Sequence, residues 1–274
     1  TEKMGLKRKT IPGPKDHTNQ MGIWAAQQAI HQAGIDPQEI DLVICTTEEW
    51  KEHFLWVAGI KMAYDLGARR AWAIDVGIKC ATTMAALKMA KNMMLADDAI
   101  NAVLVAGGYR NGDYINYANP RTRFMYNLAA GGGAFVLKKH HPRNLVLASA
   151  IRVDGAFSED VITGAGGTVR PLTPALLAQG AHYLDVPDPE GMKERLDARS
   201  MRNFVGVIRD SLHQSGYTER DLAYLAILHM KRSAHDYVLG ELGLRPDQAI
   251  YLENYGHIGQ QDQALSLQLA EQAG

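Results

Sequence analysis

Short apolar runs in the first half of the chain alternate with longer segments whose apolar residues recur at helical spacing. The runs have the length of buried strands, and the longer segments have one apolar face, as amphipathic helices do. Glycines follow several helical segments, where helices commonly end. Strands that alternate with helices favour α/β layers with mostly parallel sheets. The predicted strands are 40–46, 71–76 and 102–108, and the predicted helices are 21–33, 54–66 and 80–95.

The second half of the chain repeats this pattern. The segments GIDPQEIDLV and GYTERDLAYL each follow a predicted helix and lead into a predicted strand, which indicates a weak internal duplication. The polar stretch 140–144 between the repeats predicts a boundary, with an N-terminal half at 1–140 and a C-terminal half at 141–274. The predicted strands here are 145–153, 221–229 and 249–252, and the predicted helices are 189–215, 233–242 and 263–272.

Several segments have no regular apolar pattern. Residues 1–19 and 48–53 are polar or charged and predict surface segments. The excursion 109–126, rich in Asn, Tyr, Arg and Pro, is typical of loops that form the wall of a binding site. The triple glycine 131–133 leads into a strand and lacks the GxxxxGK[ST] form of a phosphate loop. It therefore predicts a close backbone approach or a tight turn.

Composition excludes several classes of protein. The 274 residues include 29 Lys+Arg and 30 Asp+Glu, so there is no basic field for nucleic acid or an anionic membrane. There is no run of 18 apolar residues and no signal peptide, so we expect a soluble, cytosolic protein. The two cysteines, Cys45 and Cys80, exclude a disulfide framework and a zinc-type CxxC pair, and they indicate a reducing compartment. Cys45 lies within a predicted strand and is expected in the core.

Cys80 is the first candidate for chemistry, because it lies where a predicted strand turns into a helix. A thiol at this point lies among unpaired N–H groups at the positive end of the helix dipole, which favours the nucleophilic thiolate. The alternative is a small buried hydrophobic residue, since free cysteine is often buried.

Two histidines lie at comparable transitions. His229 ends a predicted strand, and His257 follows a glycine turn after the next one. In α/β sheets such positions commonly present groups to ligands, although each histidine alone could equally be structural or solvent-facing. With Cys80 they supply one thiol and two imidazoles, as carbon–carbon bond formation on an acyl thioester requires.

The segments around these residues resemble the thiolase superfamily, in particular its β-ketoacyl-[acyl-carrier-protein] synthase III type. AIDVGIKCATTMAALKMA is similar to the nucleophile motif of that family, and NLAAGGGAFVLKK is similar to its glycine-rich strand. DLAYLAILHMKRSAHDYVLGELGL resembles its HQAN histidine segment, and ENYGHIGQQDQALSLQLA resembles its GNTSAAS turn. The resemblance covers nearly the whole chain.

The resemblance implies a five-layered αβαβα fold of two similar halves, usually a homodimer. It implies that Cys80 is the nucleophile and that His229 is the first imidazole. His257 stands where type III enzymes have asparagine, so the implied triad is Cys-His-His, as in the type I and II synthases. Met230 and its neighbours replace the remainder of the HQAN motif. That departure argues against the housekeeping role in fatty-acid synthesis and against acetyl-CoA as primer.

The termini also differ from the family pattern. The chain begins after the family's first strand and ends before the closing strands, which carry a glycine N–H of the oxyanion hole. Either terminal segments lie outside this sequence or the protein is a shortened member. An oxyanion hole with one of two donors is expected to be slow.

The implied activity is a decarboxylative condensation of an acyl-CoA-derived acyl-Cys80 with malonyl-CoA or a malonyl carrier protein. Both histidines would act as neutral hydrogen-bond donors to the thioester oxygen. No metal or redox cofactor is implied, since CoA or a pantetheine arm is part of the substrate. This arm would bind along 109–123. Arg121, Arg123 and Arg232 are then candidates for phosphate binding, with solvated surface charges as the alternative for each.

Two other functions remain open. One is a different acyltransferase on the same fold, either a non-decarboxylating thiolase-like enzyme or an enzyme that acylates oxygen or nitrogen. The other is a non-catalytic partner subunit that only positions a carrier protein or a paired synthase. Release of CO₂ would separate the first from a condensing enzyme, and an unreactive thiol would favour the second.

Overall fold

The computed structural model describes residues 4–274 and is built on a four-stranded mixed sheet. The strands are β1 (Leu42–Thr46), β2 (Trp72–Val76), β3 (Ala102–Tyr109) and β4 (Gly131–Lys138), in the order β2-β1-β3-β4. Strand β1 is parallel to β2 and to β3, whereas β4 is antiparallel to β3. The predicted α/β class is confirmed. Residues 1–3 of the predicted N-terminal surface segment lie outside the described residues.

Helices cover both faces of this sheet. Helices α1 (Thr18–Ala33) and α2 (Ala58–Leu66) pack on one face, and α3 (Thr82–Ala96) packs on the other. Because successive side chains of a strand point to opposite faces, Val43 and Cys45 contact the first pair of helices, whereas Leu42 and Ile44 face α3. The prediction that Cys45 is a core residue is confirmed.

Two helices begin at residues other than those predicted, because carboxylates bind the backbone N–H groups of their first turns. Glu52 accepts hydrogen bonds from the backbone N–H of Asn19 at 2.9 Å and of Gln20 at 3.1 Å, so α1 begins three residues before the predicted Met21. Asp75 accepts from the N–H groups of Ala58 and Gly59, so α2 begins at Ala58 and not at residue 54. Both carboxylates satisfy first-turn donors that have no partner within the helix.

Glycines allow α1 to lie directly on the sheet. A Cβ atom at Gly22 would lie 2.7 Å from the carbonyl carbon of Gly107, and one at Gly132 would lie 2.2 Å from the Met21 oxygen. A Cβ atom at Gly108 would lie 1.9 Å from the Thr18 oxygen. The interpretation of the glycine-rich segment as a close backbone approach is therefore confirmed.

The remainder of the chain forms helices with little regular sheet. Strands β5 (Ile162–Thr163) and β6 (Leu184–Asp185) form a short antiparallel pair. The helices are α4 (Pro174–Ala178), α5 (Pro189–Gln214), α6 (Arg232–Glu241) and α7 (Asp262–Ala273). Helices α5 and α6 share an apolar cluster that contains Val205 and Val238. No helix of the described residues has the length and apolar character needed to cross a membrane.

The predictions of strands at 145–153, 221–229 and 249–252 are wrong. These segments lack ladder pairing because side chains occupy the backbone groups that a ladder would use. Ser215 and Ser211 accept from the N–H groups of residues 148 and 150, and lysines of α3 donate to the 147 and 149 carbonyls. Likewise Gln248 donates to the carbonyl of residue 222, and the Tyr224 hydroxyl accepts from the N–H of residue 250. The proposed boundary between 1–140 and 141–274 stays a prediction.

We predict that the close approach of α1 to β3 makes Gly22→Ala costly. Overpacking of this kind costs about 1–3 kcal/mol. Gly240→Ala in α6 is the matched control, because its Cβ meets no atom within 4 Å and it gains the same helix propensity. Urea unfolding should give Gly22→Ala a free energy of unfolding about 1–3 kcal/mol below that of the control. Equal values for both variants would contradict this packing.

Candidate active site

Cys80 lies in the turn between β2 and α3. Lys79 immediately before it has a φ of 60°, in the left-handed region that side chains rarely adopt. The buried Thr82 hydroxyl holds this turn, since it donates to the Lys79 carbonyl at 2.5 Å and accepts from the Ile78 N–H at 2.9 Å. Helix α3 begins at Thr82, so Cys80 lies two residues before the helix and not within it as predicted.

The turn that carries His257 is hydrogen-bonded to the first half of the chain. The His257 N–H donates to the Asn127 carbonyl at 2.8 Å, and the Ala129 N–H donates to the His257 carbonyl at 2.9 Å. The fully buried Gln260 donates to the Thr46 and Gly108 carbonyls, at the ends of β1 and β3. These bonds hold His257 above the edge of the sheet at which the parallel strands end. Cys80 lies at the same edge, because it follows the end of β2.

The structure brings Cys80 and His257 into contact. Cys80 Sγ lies 3.1 Å from His257 Nε2, and His257 Nδ1 lies 2.5 Å from Asp262 Oδ2. Thiol, imidazole and carboxylate thus form a continuous chain. A carboxylate that orients an imidazole beside a nucleophile is the arrangement used to move a proton to and from that nucleophile.

The charge of His257 differs from that of an ordinary buried histidine. Burial disfavours the imidazolium, but the negative charges of Cys80 and Asp262 outweigh this cost and hold the pKa of His257 well above its usual value. These surroundings favour the charged form of His257, and its role as a neutral donor stays a prediction.

The pKa of His229 is shifted in the opposite direction from that of His257. Its N–H donates to Asp262 Oδ2 at 2.6 Å, and its Nδ1 lies 3.0 Å from Asn127 Nδ2. Burial lowers the pKa of His229 to about 4, helped by the positive charges of His257 and His235 and opposed by Asp262. The ring is therefore neutral at pH 7. Because Asn127 donates to Nδ1, the single ring proton lies on Nε2.

The Nε2 atom of His229 is buried and has no hydrogen-bond partner among the described residues. Buried polar groups are nearly always paired, so an unpaired neutral N–H needs an explanation. An N–H that donates to a substrate oxygen when substrate is bound is one such explanation.

The three predicted arginines lie apart from this group. Arg121 forms an ion pair with Asp185, and Arg232 pairs with Asp236 and stacks over the Tyr251 ring. Arg123 lies exposed in a 3₁₀ turn, 120–125. In the described structure none of them is hydrogen-bonded to Cys80, His229 or His257. Their assignment to phosphate binding stays a prediction.

Sequence reasoning missed four residues near the site. Asp262 and Asn127 orient the histidines, as described above. The Tyr109 ring lies 5.9 Å from the His257 ring, and burial together with the negative charges of Cys80 and Glu48 raises the pKa of Tyr109. Only Asp262 had a sequence signal, because an acidic residue near a predicted helix start commonly bonds to N–H groups.

The prediction of a loop at 48–53 is confirmed, with Glu49 and His53 exposed, but Glu48 does not lie on the surface. Its side chain is buried and accepts a hydrogen bond from Asn111 Nδ2 at 2.5 Å. Burial raises the pKa of the Glu48 carboxyl, although Lys79, Asn111 and His257 lower it. Within residues 4–274, no three His, Cys, Asp or Glu side chains are grouped so that they could hold a metal ion.

Comparisons with known proteins agree with this fold. The family model of 3-oxoacyl-[acyl-carrier-protein (ACP)] synthase III matches residues 74–155. The β-ketoacyl-[acyl-carrier-protein] synthase III of Symbiobacterium thermophilum is 28% identical over 92% of this chain and 74% of its own length. The enzyme of the same name from Roseiflexus castenholzii is 30% identical over 82% of this chain, which spans only 65% of that relative.

A solved structure shows the same architecture. The priming β-ketosynthase of the R1128 polyketide biosynthetic pathway superposes with a TM-score of 0.83 and 21% identity, over all of this chain and 79% of that one. The chain therefore has the same fold as that ketosynthase. Its sequence is similar to those of β-ketoacyl-[acyl-carrier-protein] synthase III enzymes, as the resemblance implied.

We predict that stability falls as pH is lowered from about 6.5 to about 4. The unfolded chain binds a proton on His229 in this range, whereas the folded protein does not until the pH nears its lowered pKa of about 4. The loss for this one group is on the order of 3 kcal/mol. His257 acts in the opposite sense, because its raised pKa gives stability that is lost as pH rises through that value.

Urea unfolding at a series of pH values would measure this effect. His229→Asn should flatten the acid decline, whereas His53→Asn at an exposed histidine should not. His235, whose pKa burial also lowers, accounts for part of the remaining slope. An unchanged decline in His229→Asn would contradict the assignment of His229 as a neutral buried group.

Proposed function

We propose that the chain is a 3-oxoacyl synthase-type acyltransferase that condenses an acyl-CoA-derived acyl group with a malonyl thioester. The observation that carries this proposal is the unpaired Nε2–H of His229, a buried neutral donor beside the Cys80–His257 pair. A proton-relay pair alone would serve many acyl transfers. An additional neutral donor suits a reaction that builds negative charge on a second oxygen.

The first half-reaction uses Cys80. Its thiolate attacks the acyl-CoA carbonyl, the bond from that carbon to the CoA sulfur breaks, and the acyl group remains on Sγ. His257, 3.1 Å from Sγ, supplies the proton that the leaving sulfur takes.

The second half-reaction uses His229. A malonyl thioester loses CO₂, and the resulting enolate oxygen accepts a hydrogen bond from His229 Nε2. The carbanion then attacks the acyl-Cys80 carbonyl, the bond from that carbon to Sγ breaks, and the products are a 3-oxoacyl thioester and the Cys80 thiolate. Asn127 assists because its bond to Nδ1 keeps the proton on Nε2. Removal of one such donor typically costs about 10²–10³ in rate.

The substrates carry the only groups that this chemistry requires. CoA or a carrier-protein pantetheine arm would bind along 109–123, without a metal or redox cofactor. Arg121, Arg123 and Arg232 would bind its phosphates, with Arg121 sharing its charge with Asp185. The two free cysteines, Cys45 and Cys80, suit a reducing compartment, so we place the protein in the cytoplasm.

One observation favours a second candidate function. The Cys80–His257–Asp262 chain resembles the relay that other enzymes use to acylate a hydroxyl or an amine. An acyltransferase to oxygen or nitrogen would use His257 as the base for the incoming nucleophile and would need no decarboxylation.

We predict that incubation with a suitable acyl-CoA adds one acyl mass to the protein. Intact-protein mass spectrometry across a panel of acyl-CoAs would detect the adduct, and Cys80→Ala should not form it. Cys45→Ala is the matched control, because that thiol is buried in the core and should not affect the adduct. If the protein is a condensing enzyme, a labelled malonyl thioester added after acylation should release CO₂.

The outcomes separate the proposed functions. An adduct without CO₂ release, discharged instead by an alcohol or an amine, would favour the second candidate. Absence of any adduct would contradict both enzymes and leave the non-catalytic partner subunit.

We propose further that the protein is a homodimer joined along β2. Within residues 4–274 this strand pairs only with β1, and its other edge is unpaired. Trp72 on β2 and Ile60 and Tyr64 on the adjoining α2 are exposed apolar side chains. An unpaired edge beside exposed apolar groups favours association with another chain.

We predict twice the chain mass in sedimentation and a shift toward monomer in Trp72→Lys, because a charge at the joined edge would be buried. Val169→Lys is the control, since Val169 is equally apolar and fully exposed in the 164–172 loop. A dimer that persists in Trp72→Lys would place the interface elsewhere.

A further inference from the structure

Asp262 is the most connected polar side chain of the site. It is fully buried at the first residue of α7, and three donors meet its two oxygens. The Ile258 N–H donates to Oδ1 at 2.8 Å, and the His229 N–H donates to Oδ2 at 2.6 Å. His257 Nδ1 lies 2.5 Å from the same Oδ2.

These contacts determine the direction of the hydrogen bond to His257. A backbone N–H can only donate, so both carboxylate oxygens already act as acceptors toward Ile258 and His229. The contact of His257 Nδ1 with Oδ2 is then a bond in which Nδ1–H donates to Asp262. Since no solvent reaches the carboxylate, no water competes for this bond.

We infer that Asp262 is a positioning residue that keeps a proton on His257 Nδ1 and thereby leaves Nε2 to exchange its proton with Cys80. This inference rests on the proposed function only in taking Cys80 as the acyl acceptor. The two histidines then have different roles, because His257 transfers a proton whereas His229 donates a hydrogen bond.

The proton balance follows from this arrangement. When Cys80 reacts as its thiolate, the proton that it has given up lies on His257 Nε2, and Asp262 holds the second ring proton on Nδ1. As the Sγ–acyl bond forms and the bond to the CoA sulfur breaks, the leaving sulfur takes the Nε2 proton. His257 is then neutral, with its remaining proton held on Nδ1 by Asp262. Solvent returns one proton in each turnover, which matches the proton that a decarboxylative condensation consumes.

The other charged groups around His257 do not contact its Nδ1 atom. Cys80 and Asp262 touch the imidazole directly, and the Tyr109 ring and the buried Glu48 lie beyond them. His229, which shares Asp262, is neutral at pH 7. Among these groups, only Asp262 contacts Nδ1, so substitution of that one residue tests the assignment.

The direct test is the protonation state of His257, read by ¹⁵N NMR of histidine-labelled protein at pH 8 and assigned with His257→Asn. We expect His257 Nδ1 to carry a proton, because it donates to Asp262 Oδ2. An unprotonated Nδ1 would overturn the inference. This measurement needs no substrate and no substitution of Asp262, so it separates failure of the inference from failure of the proposed enzyme function.

A double-mutant cycle tests the kinetic consequence. In Asp262→Asn the amide can donate to Nδ1, which places the only ring proton on Nε2, the wrong tautomer for accepting a proton. We expect acylation of Cys80 to slow by about 10²–10⁴, as in other relays that lose their carboxylate. Asp221→Asn, an exposed capping residue, should leave the rate unchanged.

The cycle also distinguishes positioning from a purely structural role. If Asp262 acts through His257, adding Asp262→Asn to His257→Asn should slow acylation little further. An equal loss in both backgrounds would show that Asp262 only anchors the backbone of Ile258 and His229, and would overturn the inference. Circular dichroism would establish that the compared variants are folded. If Asp262→Asn does not fold, the NMR measurement on the unsubstituted protein decides whether the inference holds.

Discussion

The buried carboxylate of Asp262 is the interaction on which the site depends. Its two oxygens gather the His229 backbone, the Ile258 backbone and the His257 ring. A buried carboxylate is tolerated only when enough donors replace the water that it has lost. The hydrogen bonds that stabilise the buried Asp262 carboxylate therefore also fix the two imidazoles relative to each other. Folding of this region thus positions the site.

A second set of contacts brings this assembly to Cys80. The buried amides of Gln260 and Gln261 reach Thr46 at the end of β1, and Gln260 also reaches the end of β3. Glycines on β3 and β4 let α1 lie close enough to cover the sheet beneath the site. Cys80 and His257 are 177 residues apart in the sequence, yet the edge of one sheet sets the distance between their side chains.

Local patterns in the sequence predicted the first-half strands, the main helices and the turns that carry Cys80 and His257. They did not predict the roles of Asn127 and Asp262, because a side chain's partner across the fold leaves no periodic signal. The same limit explains the wrong strands at 145–153 and 249–252. Their apolar pattern is real, but serine, lysine and tyrosine side chains take the bonds that a neighbouring strand would otherwise make. Glu48 was misplaced because a charged residue was taken to be exposed.

The unpaired Nε2–H of His229 has a consequence for molecular recognition. A ligand that places an oxygen there forms a new hydrogen bond without first breaking one with protein, so the gain is larger than at a donor that is already satisfied. Shape alone would then be a poor guide to which molecules bind this site tightly. A thioester mimic that keeps its oxygen and one that replaces it with a methylene fill the same space, yet only the first can accept a hydrogen bond from His229 Nε2–H.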